Sequence, residues 1–398
     1  MTALDALLRD RAARDEPVCL FAYDLDGLRR HVTAVVAALP PRCRMYYAMK
    51  ANSAAPVLEA LAPIVAGFEV ASGGEIAKVR AVAPAAPILF GGPAKTPAEI
   101  SHALDAAVTR LHVESVLELH RISAAAVARG TTVEVLLRVN LAGPFPSATL
   151  AMAGRPTQFG IDEADLPAAT AAATSLPGVR FAGFHLHSLS NNLSAETHLE
   201  MLGLYRDTVV GWEKELGVVV KVLDVGGGIG IDYQDPAHHF DWDGFTRGLV
   251  AWVDSVPAHW REIQFECGRY LTAACGSYAV EVLDVKRTHG TAWALVRGGT
   301  HHFRLPVSWQ HSHPFTVLPV ERWDPSVPRP SVTDDRVTVA GELCTPKDVL
   351  ARDVPVARVR AGDVLVFALA GAYGWDISHH DFLSHPHPEH VFLDDDRA

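Results

Sequence analysis

Apolar residues along the chain fall into short continuous runs, separated by segments with three- and four-residue spacing. The runs Met45–Met49, Phe68–Ala71, Ile88–Phe90, Leu111–Val113, Val133–Val139, Phe181–His185, Val218–Asp224 and Ile263–Glu266 are predicted strands. Between them Ala54–Ala62, Glu75–Val82, Val116–Ala128 and Glu196–Leu216 carry helical spacing. Eight strand–helix repeats over roughly 240 residues predict an α/β fold, a (β/α)8 TIM barrel, although a doubly wound open sheet also fits the alternation. After Leu271 the pattern changes to short β-rich runs: Ser277–Val285, Trp293–Val296, Val337–Val339 and Val364–Ala368. Arg322–Pro330 holds Pro325, Pro328 and Pro330 and reads as a loop. A second, mostly antiparallel β domain is expected there, completed by a leading helix and strand. The predicted domains are residues 24–266 for the barrel and residues 1–23 plus 267–398 for the β domain, with the terminal segment returning to the barrel.

Composition narrows the partners. The formal net charge of −11 argues against nucleic acid or an anionic membrane. Five cysteines (Cys19, Cys43, Cys267, Cys275, Cys344) are scattered without a Cys-x-x-Cys pair, as expected of reduced thiols. The first residues lack a signal-peptide core and no run approaches a membrane span, so a cytoplasmic protein is expected.

Candidate chemistry gathers at strand ends. Lys50 closes the run Met45–Met49, where its amine can form a Schiff base with a carbonyl cofactor if its surroundings lower its pKa. An isolated lysine there is otherwise a solvated charge. Gly226, Gly227 and Gly228 follow the seventh run, and Gly268 and Arg269 follow the eighth. Barrels often bind phosphate in those two loops, and a guanidinium suits the same anion. His185 and His187 follow the sixth run on one side of the chain. A zinc site needs further ligands that the spacing does not supply, so no metal is expected. An imidazole against a flat cofactor ring is the alternative, with Ser190 offering a hydroxyl to a phosphate.

Together the residues resemble the fold-type III, pyridoxal-phosphate-dependent decarboxylases, which include the ornithine, lysine/arginine and diaminopimelate enzymes. The matching pieces are Tyr47–Asn52, Gly67–Ile76, His185–His187, Gly226–Gly228, Glu266–Arg269, Gly341–Asp348 and Gly371–Gly374, in the family's order. The resemblance implies an alanine racemase-like architecture with pyridoxal 5′-phosphate bound covalently to Lys50. It implies that His187 stacks on the pyridine ring and that Glu266 keeps the ring nitrogen protonated. Gly226, Gly227, Gly228, Gly268, Arg269, Ser190 and Tyr373 would hold the phosphate. Arg138 would pair with Glu69 and help orient Lys50. The site is expected to be shared in a homodimer, Cys344 coming from the partner chain to protonate the α-carbon.

Departures from the family pattern point to the substrate. Cys267 stands for a proline and should perturb only the turn, whereas Leu189 stands for a glycine and adds bulk. Relatives acting on diamines commonly carry an acid after the cysteine; Thr345 brings no charge to attract a distal ammonium. Arg304, in a segment with His301 and His302 and near His311 and His313, suggests a pocket favouring anions. Cys344, Thr345 and Tyr373 are the other expected substrate contacts. The ending Gly371–Leu383 resembles the siderophore-biosynthesis branch, in which the staphyloferrin B-type decarboxylase acts on a citryl-diaminopropionate intermediate. The resemblance therefore implies a carboxylate-rich amino-acid substrate. Alternatives are decarboxylation of free diaminopimelate, ornithine or lysine, an amino-acid racemase, and a non-catalytic homologue. The histidine-rich tail after His379 is expected to dock rather than to bind metal.

Overall fold

The chain opens with α1 (Ala3–Arg14), β1 (Cys19–Asp24) and α2 (Leu25–Ala37). The strands β2 (Cys43–Ala48), β3 (Gly67–Val70), β4 (Ile88–Phe90), β5 (Arg110–Val113), β6 (Val133–Asn140), β7 (Val179–His185), β8 (Val222–Asp224) and β9 (Glu262–Cys267) follow. They alternate with α3 (Ala55–Leu61), α4 (Gly73–Val82), α5 (Pro97–Asp105), α6 (Val116–Ala128), α7 (Leu166–Ser175), α8 (Ala195–Leu216) and α9 (Trp242–Ser255). The computed structural model describes residues 2–14, 16–143, 150–151 and 156–394; Met1 and residues 395–398 of the predicted domain ranges lie outside these.

The strands pair in the order β5-β4-β3-β2-β9-β8-β7-β6, and β6 pairs back to β5, closing an all-parallel barrel. Strands covered on both faces must be apolar throughout, and for that reason they read as continuous runs. β3, β4 and β8 are buried at every position. Helix starts are fixed by side chains that accept first-turn N–H groups: Ser72 from Glu75, Ser115 from Glu118 and Ser194 from Thr197. Thr96 and Glu99 form a reciprocal capping box on α5. At the strand starts Arg110 binds Glu134 at 2.8 Å and Glu262 at 3.3 Å, a polar layer beneath the apolar one.

The β-rich part comprises β10 (Gly276–Thr288), β11 (Thr291–Val296), β12 (Phe315–Leu318), β13 (Ser331–Ala340), β14 (Val349–Arg360), β15 (Val364–Phe367) and β16 (Glu389–Leu393). The sheet runs β12-β15-β10-β11-β13-β14, with β1 joining β10 and β16. Pairing is antiparallel except at β11–β13 and β1–β16. Leu8 of α1 packs with Leu20, Ala22, Ala279 and Val364, so the first residues do complete this sheet. The terminal segment hydrogen-bonds to β1 as β16.

Two compact units result. One is Arg29–Ile231 with His239–Leu271; the other is Met1–Leu28 with Asp232–His238 and Thr272–Ala398. The short excursion Asp232–His238 was expected in the barrel. Tyr233 ties it to the β unit by packing its ring 5.1 Å from His311 and 5.4 Å from His313. Among the described residues no helix is long and apolar enough to cross a membrane.

Gly183 leaves less room for a side chain than any other described glycine. A Cβ there would lie 1.9 Å from the Val222 carbonyl oxygen, where the β6–β7 register slips between Val135 and Leu136. Gly183→Ala should therefore destabilise the protein by about 1–3 kcal/mol, read as a lowered urea midpoint. An unchanged midpoint would show that the wall yields.

Candidate active site

β2 ends in a single 3-10 turn, Met49–Ala51, which presents Lys50 at the carboxyl end of the strand. The β2–β3 register sets Ala48 beside Glu69, and Lys50 Nζ lies 2.9 Å from Glu69 Oε2. The Lys50 side chain is 48% exposed and that of Glu69 only 5%, so the amine reaches from the barrel mouth to a buried acid. Burial raises the Glu69 pKa, the Lys50 ammonium opposes that rise, and nearby Glu266 adds to it.

Arg138, expected to pair with Glu69, is bound to Glu114 at 2.9 Å. Glu114 directly follows β5, the strand paired with β6, and also accepts the Gly160 N–H at 2.7 Å, which holds it for Arg138. Phe159 lies under the guanidinium at 4.7 Å. The Arg138 charge still favours ionised Glu69 from a distance.

The loop after β8 is threaded where side chains cannot go. A Cβ on Gly226 would stand 2.3 Å from His187 Nδ1, one on Gly227 2.2 Å from the Glu266 carbonyl oxygen, and one on Gly228 2.6 Å from that of Leu189. The Gly227 N–H donates to His187 Nδ1 at 3.2 Å, which places any proton of the neutral ring on Nε2. Desolvation keeps His187 well below the usual histidine range. Leu189 is buried, so its bulk faces the fold while Ser190 beside it stays partly exposed. A Cβ on Gly268 would stand 2.8 Å from the Ala48 carbonyl oxygen, and Arg269 opens the short helix Arg269–Thr272. Burial pushes the Cys267 thiol up to about 12, making it an inert wall residue.

Lys50, Glu69, His187, the glycine loop and Glu266 thus come together in the barrel unit. Arg304, His301, His302, Cys344, Thr345 and Tyr373 belong to the β unit. There Asp348 accepts the N–H groups of Thr300 and Leu343, folding the loop that carries Cys344. Cys344 is the exposed cysteine of the five, and Tyr373 adopts a left-handed φ of 54°. His301 and His302 are completely buried, and desolvation lowers them to about 4 and about 3. They can exchange hydrogen bonds but carry no charge at neutral pH. The cationic character expected of this segment rests on exposed Arg304 alone.

Sequence reasoning missed the groups around Glu266. His112 and Asp224 lie against it and against His185, all four buried. His112, His185 and Glu266 bring donor atoms within 4.8 Å of one another, two companions of His185 that the histidine spacing had not revealed. The available signal was Arg110 and His112 alternating inside an otherwise apolar strand. The buried ion pair of Lys95 with Glu118, 2.7 Å long, was missed as well.

These features fit pyridoxal phosphate: a lysine at a strand end, a glycine cradle that any Cβ would fill, and a buried Glu266 whose Oε1 has no hydrogen-bond partner. Fold and site together define a pyridoxal-phosphate-binding barrel with an appended β sheet. Residues 25–273 match the family described as pyridoxal-dependent decarboxylase, pyridoxal binding domain. The 2-[(L-alanin-3-ylcarbamoyl)methyl]-2-hydroxybutanedioate decarboxylase of Staphylococcus aureus is 47% identical over 99% of this chain and 98% of its own. The L-glutamyl-[BtrI acyl-carrier protein] decarboxylase of Niallia circulans is 32% identical over 92% of this chain and 87% of its own. Diaminopimelate decarboxylase from Helicobacter pylori, solved with L-lysine, superposes with a TM-score of 0.84 at 24% identity, covering 97% of this chain and 94% of that one. The chain belongs to the pyridoxal-dependent decarboxylases, and its cofactor is pyridoxal phosphate.

The buried histidines make stability depend on acid. An unfolded histidine takes up a proton below about pH 6.5, whereas folded His301 and His302 resist until about 4 and about 3. The unfolded state therefore binds more protons across that window, and stability falls as pH drops. Each histidine should cost about 2 kcal/mol between about pH 7 and about pH 5. Urea titrations at both pH values check this, and His302→Gln should flatten the slope.

Proposed function

We propose that this enzyme removes the α-carboxylate of the diaminopropionate head of a citryl amide, a step in making a carboxylate siderophore. The observation that carries the reading is 47% identity, over essentially the whole of both chains, to the decarboxylase named for that compound. Thr345 supports it, because a hydroxyl after Cys344 offers no anion to a distal ammonium. Exposed Arg304 supports it as a partner for substrate carboxylates.

In this reading Lys50 holds the cofactor covalently, and Glu69 fixes the lysine amine. Glu266 would hold the pyridine nitrogen and His187 would support the ring. Gly226, Gly227, Gly228, Gly268, Arg269, Ser190 and Tyr373 hold the phosphate. When bound, pyridoxal phosphate supplies an electron-accepting ring that takes up the charge left when carbon dioxide departs. Arg304, Thr345, Tyr373, His301 and His302 position the substrate, the two buried histidines through neutral hydrogen bonds. The active unit is a homodimer, and Cys344 of the partner subunit delivers the proton that replaces the lost carboxylate. Free thiols at all five cysteines suit a cytoplasmic enzyme.

Mass spectrometry should detect loss of carbon dioxide from the citryl amide in preference to diaminopimelate, ornithine or lysine. Preferred turnover of a free diamino acid would replace the substrate assignment. Lys50→Ala should lose the visible absorbance of the lysine-bound cofactor and lower kcat by more than about a thousandfold. Cys344→Ala should slow product formation by about a hundredfold while leaving that absorbance intact. An unchanged rate would remove Cys344 from the reaction.

A further inference from the structure

The floor beneath Glu266 holds more polar chemistry than those assignments use. His112 on β5, His185 on β7, Asp224 on β8 and Glu266 on β9 are 0%, 3%, 0% and 8% exposed. His112 Nδ1 is 3.4 Å from Glu266 Oε1, and His185 Nε2 is 3.3 Å from Glu266 Oε2. Behind them His112 Nε2 lies 3.6 Å from Asp224 Oδ2, and the two imidazole centroids are 4.3 Å apart. None of the four ring nitrogens, nor Asp224 Oδ2 or Glu266 Oε1, completes a hydrogen bond within the protein. Buried polar atoms are almost always satisfied, so six such atoms around one centre mark a place built for a ligand's charge.

We propose that His112, His185 and Asp224 are positioning residues that hold Glu266 as a carboxylate aimed at the cofactor's ring nitrogen, so that the barrel selects a pyridine ring. The proposal rests on Glu266 facing that nitrogen, as assigned above. Two carboxylates this close in a dry interior cannot both ionise. Asp224 is the one that yields: burial and the neighbouring Glu266 push it well above the carboxylate range. Both imidazoles are held neutral by burial, with Lys95 and Arg138 adding to the effect on each. His112, His185 and Asp224 are thus three neutral groups around Glu266, the histidines 3.4 and 3.3 Å from its oxygens, able to orient it without pairing it with a cation. A cation paired with Glu266 would fix it as well, but would spend the charge the ring nitrogen needs.

The test measures the affinity of cofactor-stripped protein for pyridoxal phosphate and for its 1-deaza analogue, in which carbon replaces the ring nitrogen. Wild type should prefer pyridoxal phosphate. His112→Phe and His185→Phe keep a ring of similar shape without its nitrogens and should lose about tenfold or more of that preference. Asp224→Asn, which can still donate, should retain it. A merely structural role would lower both affinities together, and that result overturns the proposal, as does an undiminished preference in both Phe variants. If either Phe variant fails to fold, His112→Gln and His185→Gln give the same ratio with a smaller change of packing. No preference in wild type would defeat the Glu266 assignment and this proposal with it, whereas preference in wild type and all variants defeats the proposal alone. One equivalent of transition metal in the purified holoenzyme would also overturn it, because the same donor atoms would then be coordinated.

Discussion

Holding carboxyl groups in a dry interior is the constraint on which this barrel mouth depends. Glu69, Glu114, Glu118, Asp224 and Glu266 are all buried. Three have a cation: Lys50 for Glu69, Arg138 for Glu114 and Lys95 for Glu118. Among the described residues the ion-pair partners of Asp224 and Glu266 are histidines, and Asp224 also accepts the Gly226 N–H at 2.8 Å. An uncompensated buried charge costs several kcal/mol, and proteins tolerate it where a ligand of opposite sign completes the site. In the function proposed above, the ring nitrogen of the cofactor supplies the charge opposite Glu266.

The barrel was legible because its strands must be apolar on both faces, and all eight lie within a few residues of the predicted runs. The β unit was harder to read. β13 showed only Val337–Val339 because residues Thr333–Arg336 are polar and exposed. β14 was hidden by Pro355 and by scattered charges such as Arg352, Asp353 and Arg358 along an edge strand facing solvent. β16 was masked by histidines and prolines just before it, yet its backbone pairs with β1 because β1 otherwise has only β10. A two-sided apolar run signals its own burial; a one-sided edge strand depends on neighbours far away in the chain.

The site divided along similar lines. Lys50, the triple glycine and Glu266 stand in motifs whose residue types state their chemistry, so sequence alone singled them out. Arg138 shows the limit: its position on a barrel strand was legible, but its partner is decided by which acid follows the adjacent strand, and that is Glu114. His301 and His302 show another. Charge was inferred from their side chains, whereas burial decides that they are neutral. His112 carried no motif at all, only an inward position in β5.

The contact of the Gly227 backbone with the Glu266 carbonyl has a mechanical consequence. The loop suited to an anion and the strand bearing the carboxylate abut with no side chain between them, so neither can retreat without dragging the other. Such a rigid spacer gauges its guest by length. Under the phosphate and ring assignments proposed above, a vitamin derivative whose phosphate arm is one methylene longer would have its ring displaced from the acid.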